Sequence, residues 1–341
     1  MLNALFSAMA LITAVQDDGA VATEAAEQPV LRLDTVEQAA SANPESDIVL
    51  RSASQYAGFH RTLGEIRSRE ITSGAVLDQS MDELAVYMAR ERLVRAWLAY
   101  SSLIAEQHPQ FLDDVRDVAD YYGRDAAVAA LASDPAYAGA FRYADQASAD
   151  VLASIDEDSA EVREIGEQFR LAAYDLQHER WANAIARDRQ NRLAALRAAD
   201  DASAPLATDM FTTSFFDESE IGSASSMFAE TAPRPSLPAS TPNLTLNADV
   251  PYEPDRVRVG RILSIAALRA IGSDNQFTED SLQSLLADPL AQRCIEWARV
   301  NLAQCVAAAH FEYEDSFCIA QHALLEVSDC LEAAQNRRDG Q

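Results

Sequence analysis

The four cysteines lie close together near the carboxyl end of the chain, and they constrain its fold more than any other feature. They are Cys294, Cys305, Cys318 and Cys330. If Cys294 and Cys305 share one helix, they lie about 16 Å apart along its axis, whereas a disulfide allows roughly 7 Å between Cα atoms. The same holds for the second pair. Each bridge must therefore join two different helices.

The spacing of the cysteines selects one pairing in an antiparallel helical hairpin that turns near Glu312. Facing residues in such a hairpin have numbers with a constant sum, and the sums for Cys305 with Cys318 and for Cys294 with Cys330 differ by only one. The crossed pairing would shift each partner by about eleven residues along the axis, which a disulfide cannot span. We therefore predict two nested disulfides, which are typical of an oxidising compartment.

One detail of the hairpin needs a local irregularity. An eleven-residue step returns to the same helix face within about 20°, but the twelve-residue step from Cys318 to Cys330 is off by about 120°. We expect a break near 328–329 to correct this. The arrangement is similar in outline to the twin cysteine-x9-cysteine hairpins, with gaps of ten and eleven residues in place of nine.

A zinc site is the alternative use of these thiols. Cys305, His310, Cys318 and His322 provide two thiols and two imidazoles, and Cys318 and His322 are one helical turn apart. This arrangement would leave Cys294 and Cys330 without a role. The disulfide interpretation uses all four cysteines, so we prefer it and predict no metal and no cofactor.

Apolar residues recur with helical spacing through most of the remaining chain. Tyr56, Phe59, Leu63 and Ile66 define one face of a helix, and Asp288-Pro289 has the order of a helix start. The chain has only 11 glycines. An all-α fold is therefore predicted, with one long helix within about 159–198, where proline is absent.

The N-terminal residues resemble a secretory signal. Residues 1–22 combine an apolar run with the small-x-small sequence Ala20-Val21-Ala22, although they lack a basic start. The run is shorter than the roughly 20 residues that span a bilayer, and no later segment is apolar enough, so we predict no transmembrane span in the mature chain. Residues 23–46 are small and acidic and are predicted to be a mobile leader.

Composition then divides the rest of the chain. A helical domain over 47–200 is followed by a linker over 201–254, which holds seven of the twelve prolines. A smaller four-cysteine helical domain over 255–336 contains the hairpin, and 337–341 form a tail. Apolar residues within the linker either pack back onto the first domain or dock a partner. These partner-docking candidates are Phe211, Phe215, Phe216, Met227 and Phe228.

Several classes of function are excluded. The chain contains no lysine, and its closest glycines are Gly58 and Gly64, so lysine chemistry and the glycine-rich nucleotide loops are impossible. The net charge of -27 opposes nucleic-acid binding. We predict a non-enzymatic, periplasmic or secreted structural or protein-interaction module with partners in the cell envelope. The alternatives are an envelope hydrolase that uses carboxylates in a helical cleft, and a small-ligand or metal-binding protein.

Overall fold

The computed structural model describes residues 47–186, 189–207, 221–228, 253–272 and 276–332, and its fold is all-α, as predicted. The predicted signal sequence, the leader and the tail lie outside these ranges. The helices are α1 (Ile48–Ser68), α2 (Gly74–Met88), α3 (Arg92–Ala105), α4 (Pro109–Tyr122), α5 (Arg124–Ser133), a 3₁₀ turn (Tyr137–Ala140), α6 (Ala144–Leu176), α7 (Arg189–Ala198), α8 (Ala224–Phe228), α9 (Glu253–Ile271), α10 (Gln276–Leu285), α11 (Pro289–Ala308), α12 (Glu312–Cys318), a π-helical segment (Ile319–Leu325) and α13 (Glu326–Leu331).

Two helix starts follow from aspartates that cap free N–H groups. The Asp47 carboxylate accepts from the N–H groups of Val49 and Leu50, at 2.8 and 3.1 Å. Asp288 does the same for the first turn of α11, where Pro289 needs no hydrogen-bond partner. The start of α11 at Asp288-Pro289 is the one predicted from the sequence.

The core is built around α1, α3 and α9. Helices α1 and α3 bury large aromatic side chains, and the middle of α9, residues 262–268, is buried on every side, as in a helix enclosed by others. In α9, Ile262, Leu263, Ile265 and Leu268 are fully buried. The largest fully buried side chains of α1 to α4 are Trp97, Tyr56, Tyr87, Tyr100, Phe59 and Phe111.

The packing of α9 differs from the predicted division into two domains. This helix begins the predicted domain 255–336, yet it packs against α3, α4, α5 and the 3₁₀ turn of the region 47–200. At Gly260 the approach is so close that a Cβ would lie 2.1 Å from the carbonyl oxygen of Pro135. All described residues belong to one compact unit. The two regions therefore share one core.

The predicted long helix is present, but it begins and ends earlier in the chain than the predicted range 159–198. It is α6, and it ends at Leu176 instead of continuing to Ala198. The chain then pairs with the turn before α12, where the N–H of Tyr313 donates to Ala182 and that of Ala186 to His310. These tertiary hydrogen bonds replace the helical ones, so the helix stops and α7 starts afresh.

The nested disulfides are the ones predicted. Cys294 is bonded to Cys330 and Cys305 to Cys318, each pair with 5.6 Å between Cα atoms. The irregularity lies elsewhere than expected, because residues 326–331 are regular helix and the π-helical segment Ile319–Leu325 lies between the two cysteines. Its wider turns take up one extra residue, so the twelve-residue step acts like an eleven-residue one.

The hairpin of α11 with α12 to α13 packs on α6 and α2. Gly166 of α6 permits this contact, since a Cβ there would lie 2.9 Å from the side chain of Leu325. Within the described residues, no helix combines the length and the apolar character needed to cross a membrane.

Candidate functional site

An open apolar pocket of about 310 Å³ lies beside the inner disulfide. It forms where the carboxyl end of α6 meets the ends of α11 and α12, and both bonded cysteines contribute to its wall. Its lining residues are Ala173, Tyr174, Gln177, Cys305, Ala308, Ala309, Tyr313, Glu314, Phe317 and Cys318. The pocket is therefore mostly lined by small and aromatic side chains that the disulfide holds in place.

Two aromatic side chains stand partly exposed at this pocket. Tyr174 is 56% exposed and Phe317 is 42% exposed. The buried Ala173 and Ala309 line the same pocket. A pocket lined by exposed aromatic rings and small residues can accept an apolar side chain of a partner.

The exposed face of α11 continues from this pocket along the helix. At 100° per residue, Leu290, Trp297 and the pocket residue Ala308 lie within about 20° of one another. Trp297 is 66% exposed, Leu290 57% and the neighbouring Val300 44%. We call this row, with Gln304, the α11 face.

The α11 helix is less acidic than the chain as a whole, and this favours docking at the α11 face. The chain as a whole carries a net charge of -27, but α11 contains Arg293 and Arg299 against one acid, Glu296. A partner that approaches this helix therefore avoids the acidic repulsion that dominates elsewhere. Exposed aromatic and aliphatic side chains without local excess charge are the usual composition of an interaction surface.

A second cluster lies deep in the core and is polar. The Nδ1 atom of His60 is 3.0 Å from a carboxylate oxygen of Glu161, and His60 is fully buried. Its Nε2 atom has no hydrogen-bond partner in the described part of the chain. Burial raises the pKa of Asp158, and the nearby Asp158 carboxylate helps burial to raise the pKa of Tyr56.

The short segment 221–228 covers this polar cluster. Its Ser225 N–H donates to Asp158 at 2.8 Å, and the hydroxyl of Tyr100 donates to the Gly222 carbonyl at 2.9 Å. Gln107 exchanges two hydrogen bonds with the main chain of Ile221, at 2.7 and 2.8 Å. The segment therefore packs directly against Asp158 and Tyr100, and both of these side chains are buried.

A third site is a cleft of about 390 Å³ between α1 and α2. Glu65, Asp82 and Glu83 line it together with Arg61 and Tyr87. Burial and the neighbouring Asp78 and Glu83 raise the pKa of Asp82. In this cleft, the carboxylate of Asp82, which has a raised pKa, borders an open pocket.

Other buried acids are paired within the fold. Asp315 is fully buried and bonds to Arg192, yet burial outweighs this pairing and raises its pKa to about 7. Glu106 bonds to Arg269, which also binds Asp47. These pairs connect elements that are distant in sequence, and none of them lines a pocket described above.

The structure brings the predicted zinc ligands together only in part. Cys305 and Cys318 are bonded to each other, so neither is a thiolate able to bind zinc. His322 instead lies 2.8 Å from Glu326, and His310 is on the surface. The zinc alternative is therefore wrong for this structure. No group of three or more metal-binding side chains occurs elsewhere in the described ranges.

The partner-docking candidates divide into two groups. Met227 and Phe228 pack back onto the core, where the Met227 sulfur is 2.8 Å from the Tyr100 hydroxyl and Arg61 covers the Phe228 ring at 5.5 Å. The others, Phe211, Phe215 and Phe216, lie outside the described residues. The two described members are thus part of the intramolecular packing.

Sequence reasoning missed the exposed pocket and the α11 face. Trp297 was identifiable as a helical residue, but its exposure depends on which face the disulfides turn inward. Tyr174 and Phe317 are far apart in sequence, so no local pattern joins them. Comparison with known proteins adds nothing to this site, because no family model, curated protein or solved structure matches the chain.

Proposed function

We propose that this protein is an exported, non-enzymatic interaction module of the cell envelope. It binds a protein partner through the apolar pocket at the inner disulfide and through the adjoining α11 face. The observation that carries this proposal is the exposure of Tyr174 and Phe317 at one pocket, together with the exposure of Trp297 on the adjoining α11 face. Large exposed apolar side chains cost solubility, so their grouping favours a binding role.

The disulfides support the exported location and the binding role together. Two bridges are typical of proteins that mature outside the cytoplasm. The inner bridge also connects two of the three helices that form the pocket, which fixes its shape before a partner arrives. A preorganised pocket loses less conformational entropy on binding. The apolar N-terminal run and Ala20-Val21-Ala22 support cleavage near Thr23.

Affinity recovery from the native envelope tests the binding role. Trp297→Ala and Phe317→Ala should each reduce the recovery of specific partners, since each removes an exposed ring at the proposed surface. Tyr122→Ala is the matched control, because Tyr122 is 69% exposed at the end of α4. Equal recovery with all three variants would contradict the proposed surface. N-terminal sequencing of the recovered protein tests export, and an intact Met1 would contradict it.

A second candidate function is a hydrolase that acts in the acidic cleft between α1 and α2. The raised pKa of Asp82 beside Glu65 and Glu83 favours it, because a carboxyl group with a raised pKa is better suited to act as a general acid than an ordinary one. Asp82→Asn should abolish any hydrolysis of glycoside or ester substrates by the purified protein. Activity that survives this substitution would exclude the cleft as its source.

A further inference from the structure

Residues 221–228 bind to the helices beneath them mainly through their main chain. Three side chains, Gln107, Tyr100 and Asp158, make four hydrogen bonds to N–H and C=O groups of the segment. Gln107 donates to the carbonyl of Ile221 and accepts from its N–H, which is the two-point pairing that an amide side chain offers to a peptide. This mode of recognition depends little on the side chains of the segment.

The segment's own side chains are small where it crosses the buried cluster. Gly222, Ser223, Ala224 and Ser225 occupy this stretch, and the last three are buried. Larger apolar side chains follow only at Met227 and Phe228, which are half-buried. Any peptide with small residues followed by apolar ones has the shape to lie here.

The surface under the segment is polar, unlike the rest of the core. Asp158, His60 and Tyr100 are buried beneath or beside it. A buried apolar surface would resist exposure, but water can satisfy a carboxylate, an imidazole and a hydroxyl.

We propose that this groove between α1, α3 and α6 is a peptide-binding site. Residues 221–228 occupy it as an intramolecular ligand, and a peptide segment of another protein binds there in their place. The ligand presents small residues to Asp158 and Tyr100 and places apolar side chains next to Arg61. This site is separate from the pocket at the inner disulfide and does not depend on the function proposed for it.

A competition experiment with the full-length protein tests this site. The probe is a fluorescent peptide of residues 221–228 with blocked ends. Ser225→Pro in the protein removes the N–H that donates to Asp158, which weakens the intramolecular ligand and leaves the groove side chains intact. This variant should bind the probe at least about tenfold more tightly than the wild type does, since its internal competitor is weaker.

Two controls make this result specific. Adding Gln107→Ala to the Ser225→Pro protein should remove most of the gain, because two hydrogen bonds to Ile221 are lost. A probe with proline at the Ser225 position should not bind. Folding of each variant is checked by thermal unfolding. A folded Ser225→Pro protein that binds the probe no better than the wild type, or that binds the proline probe equally well, overturns the proposal.

Hydrogen exchange of the wild-type protein provides a test that needs no variant. The amides of Ile221 and Ser225 should exchange at least about 100-fold faster than the amides in the middle of α3, because the segment leaves the groove without global unfolding. Exchange of both sets at one common rate would show that the segment is a fixed part of the core, and this would also overturn the proposal.

Discussion

Cys318 and Cys330 face the same neighbouring helix although they are twelve positions apart, because the π-helical segment between them absorbs one residue. Both are bonded to α11, where their partners are eleven residues apart. A regular helix would turn Cys330 about 120° away from its partner. The π-helical segment is therefore the local feature that allows both bridges in one hairpin.

Deleting Gln321 tests this role of the π-helical segment. The deletion leaves an eleven-residue step, which a regular α-helix carries to the same face, so both disulfides should still form. Inserting an alanine after Gln321 should instead turn Cys330 away by roughly 100° and prevent the outer bridge. Non-reducing peptide mapping distinguishes these results. Loss of the outer bridge in the deletion variant would contradict the assignment.

Removing the outer bridge should destabilise the hairpin without disturbing the inner bridge. Cys294→Ser should leave Cys330 as a free thiol and keep Cys305 bonded to Cys318. Because the lost bridge spans a sequence separation of 36 residues, the free energy of unfolding should fall by about 2–4 kcal/mol. Urea unfolding and thiol titration measure the two effects. A bridge between Cys318 and Cys330 in this variant would contradict the nested geometry.

Gly260→Ala tests whether α9 belongs to the same core as the region 47–200. The new Cβ would lie 2.1 Å from the carbonyl oxygen of Pro135, so α9 or the 3₁₀ turn must move. We expect a loss of about 1–3 kcal/mol in the free energy of unfolding, measured in urea. Gly139→Ala is the control, because no atom lies within 4 Å of its Cβ position. Equal stability of both variants would argue for separate domains.

Asp315 should make the protein more stable as the pH falls from about 7 toward 4. Burial raises its pKa from 3.8 to about 7, so the folded state holds a proton that the unfolded chain has lost in this range. One such proton changes stability by up to about 1.4 kcal/mol per pH unit. Asp315→Asn should flatten this dependence in urea unfolding, whereas the exposed-site control Asp145→Asn should not. An unchanged slope would contradict the raised pKa.

Local signals in the sequence predicted much of the fold. Asp288-Pro289 begins a helix as its order predicts, and Gly272 follows α9 with a positive φ of 62°, which glycine adopts without strain. The cysteine spacing predicted both bridges because it depends only on helix geometry. These features share one property, which is that each is decided by residues close in sequence or by covalent bonds.

The remaining features depend on tertiary contacts that no local pattern reveals. Apolar residues between Leu84 and Ile104 recur with the spacing of one helix, yet the chain is divided at Arg90, which has a positive φ of 55° without being a glycine. The end of α6 is set by hydrogen bonds to residues 310–313. The candidate pocket likewise joins Tyr174 to Phe317, whose proximity follows only from the packing of the hairpin on α6.

Photo-cross-linking in the native envelope tests the proposed function most directly. A photoreactive phenylalanine analogue is placed at position 297, 317 or 122 of the exported protein. The account predicts that positions 297 and 317 yield the same cross-linked partner and that position 122 does not, since only the first two border the proposed surface. Adducts from position 122 alone, or an identical set of adducts from all three positions, would contradict it.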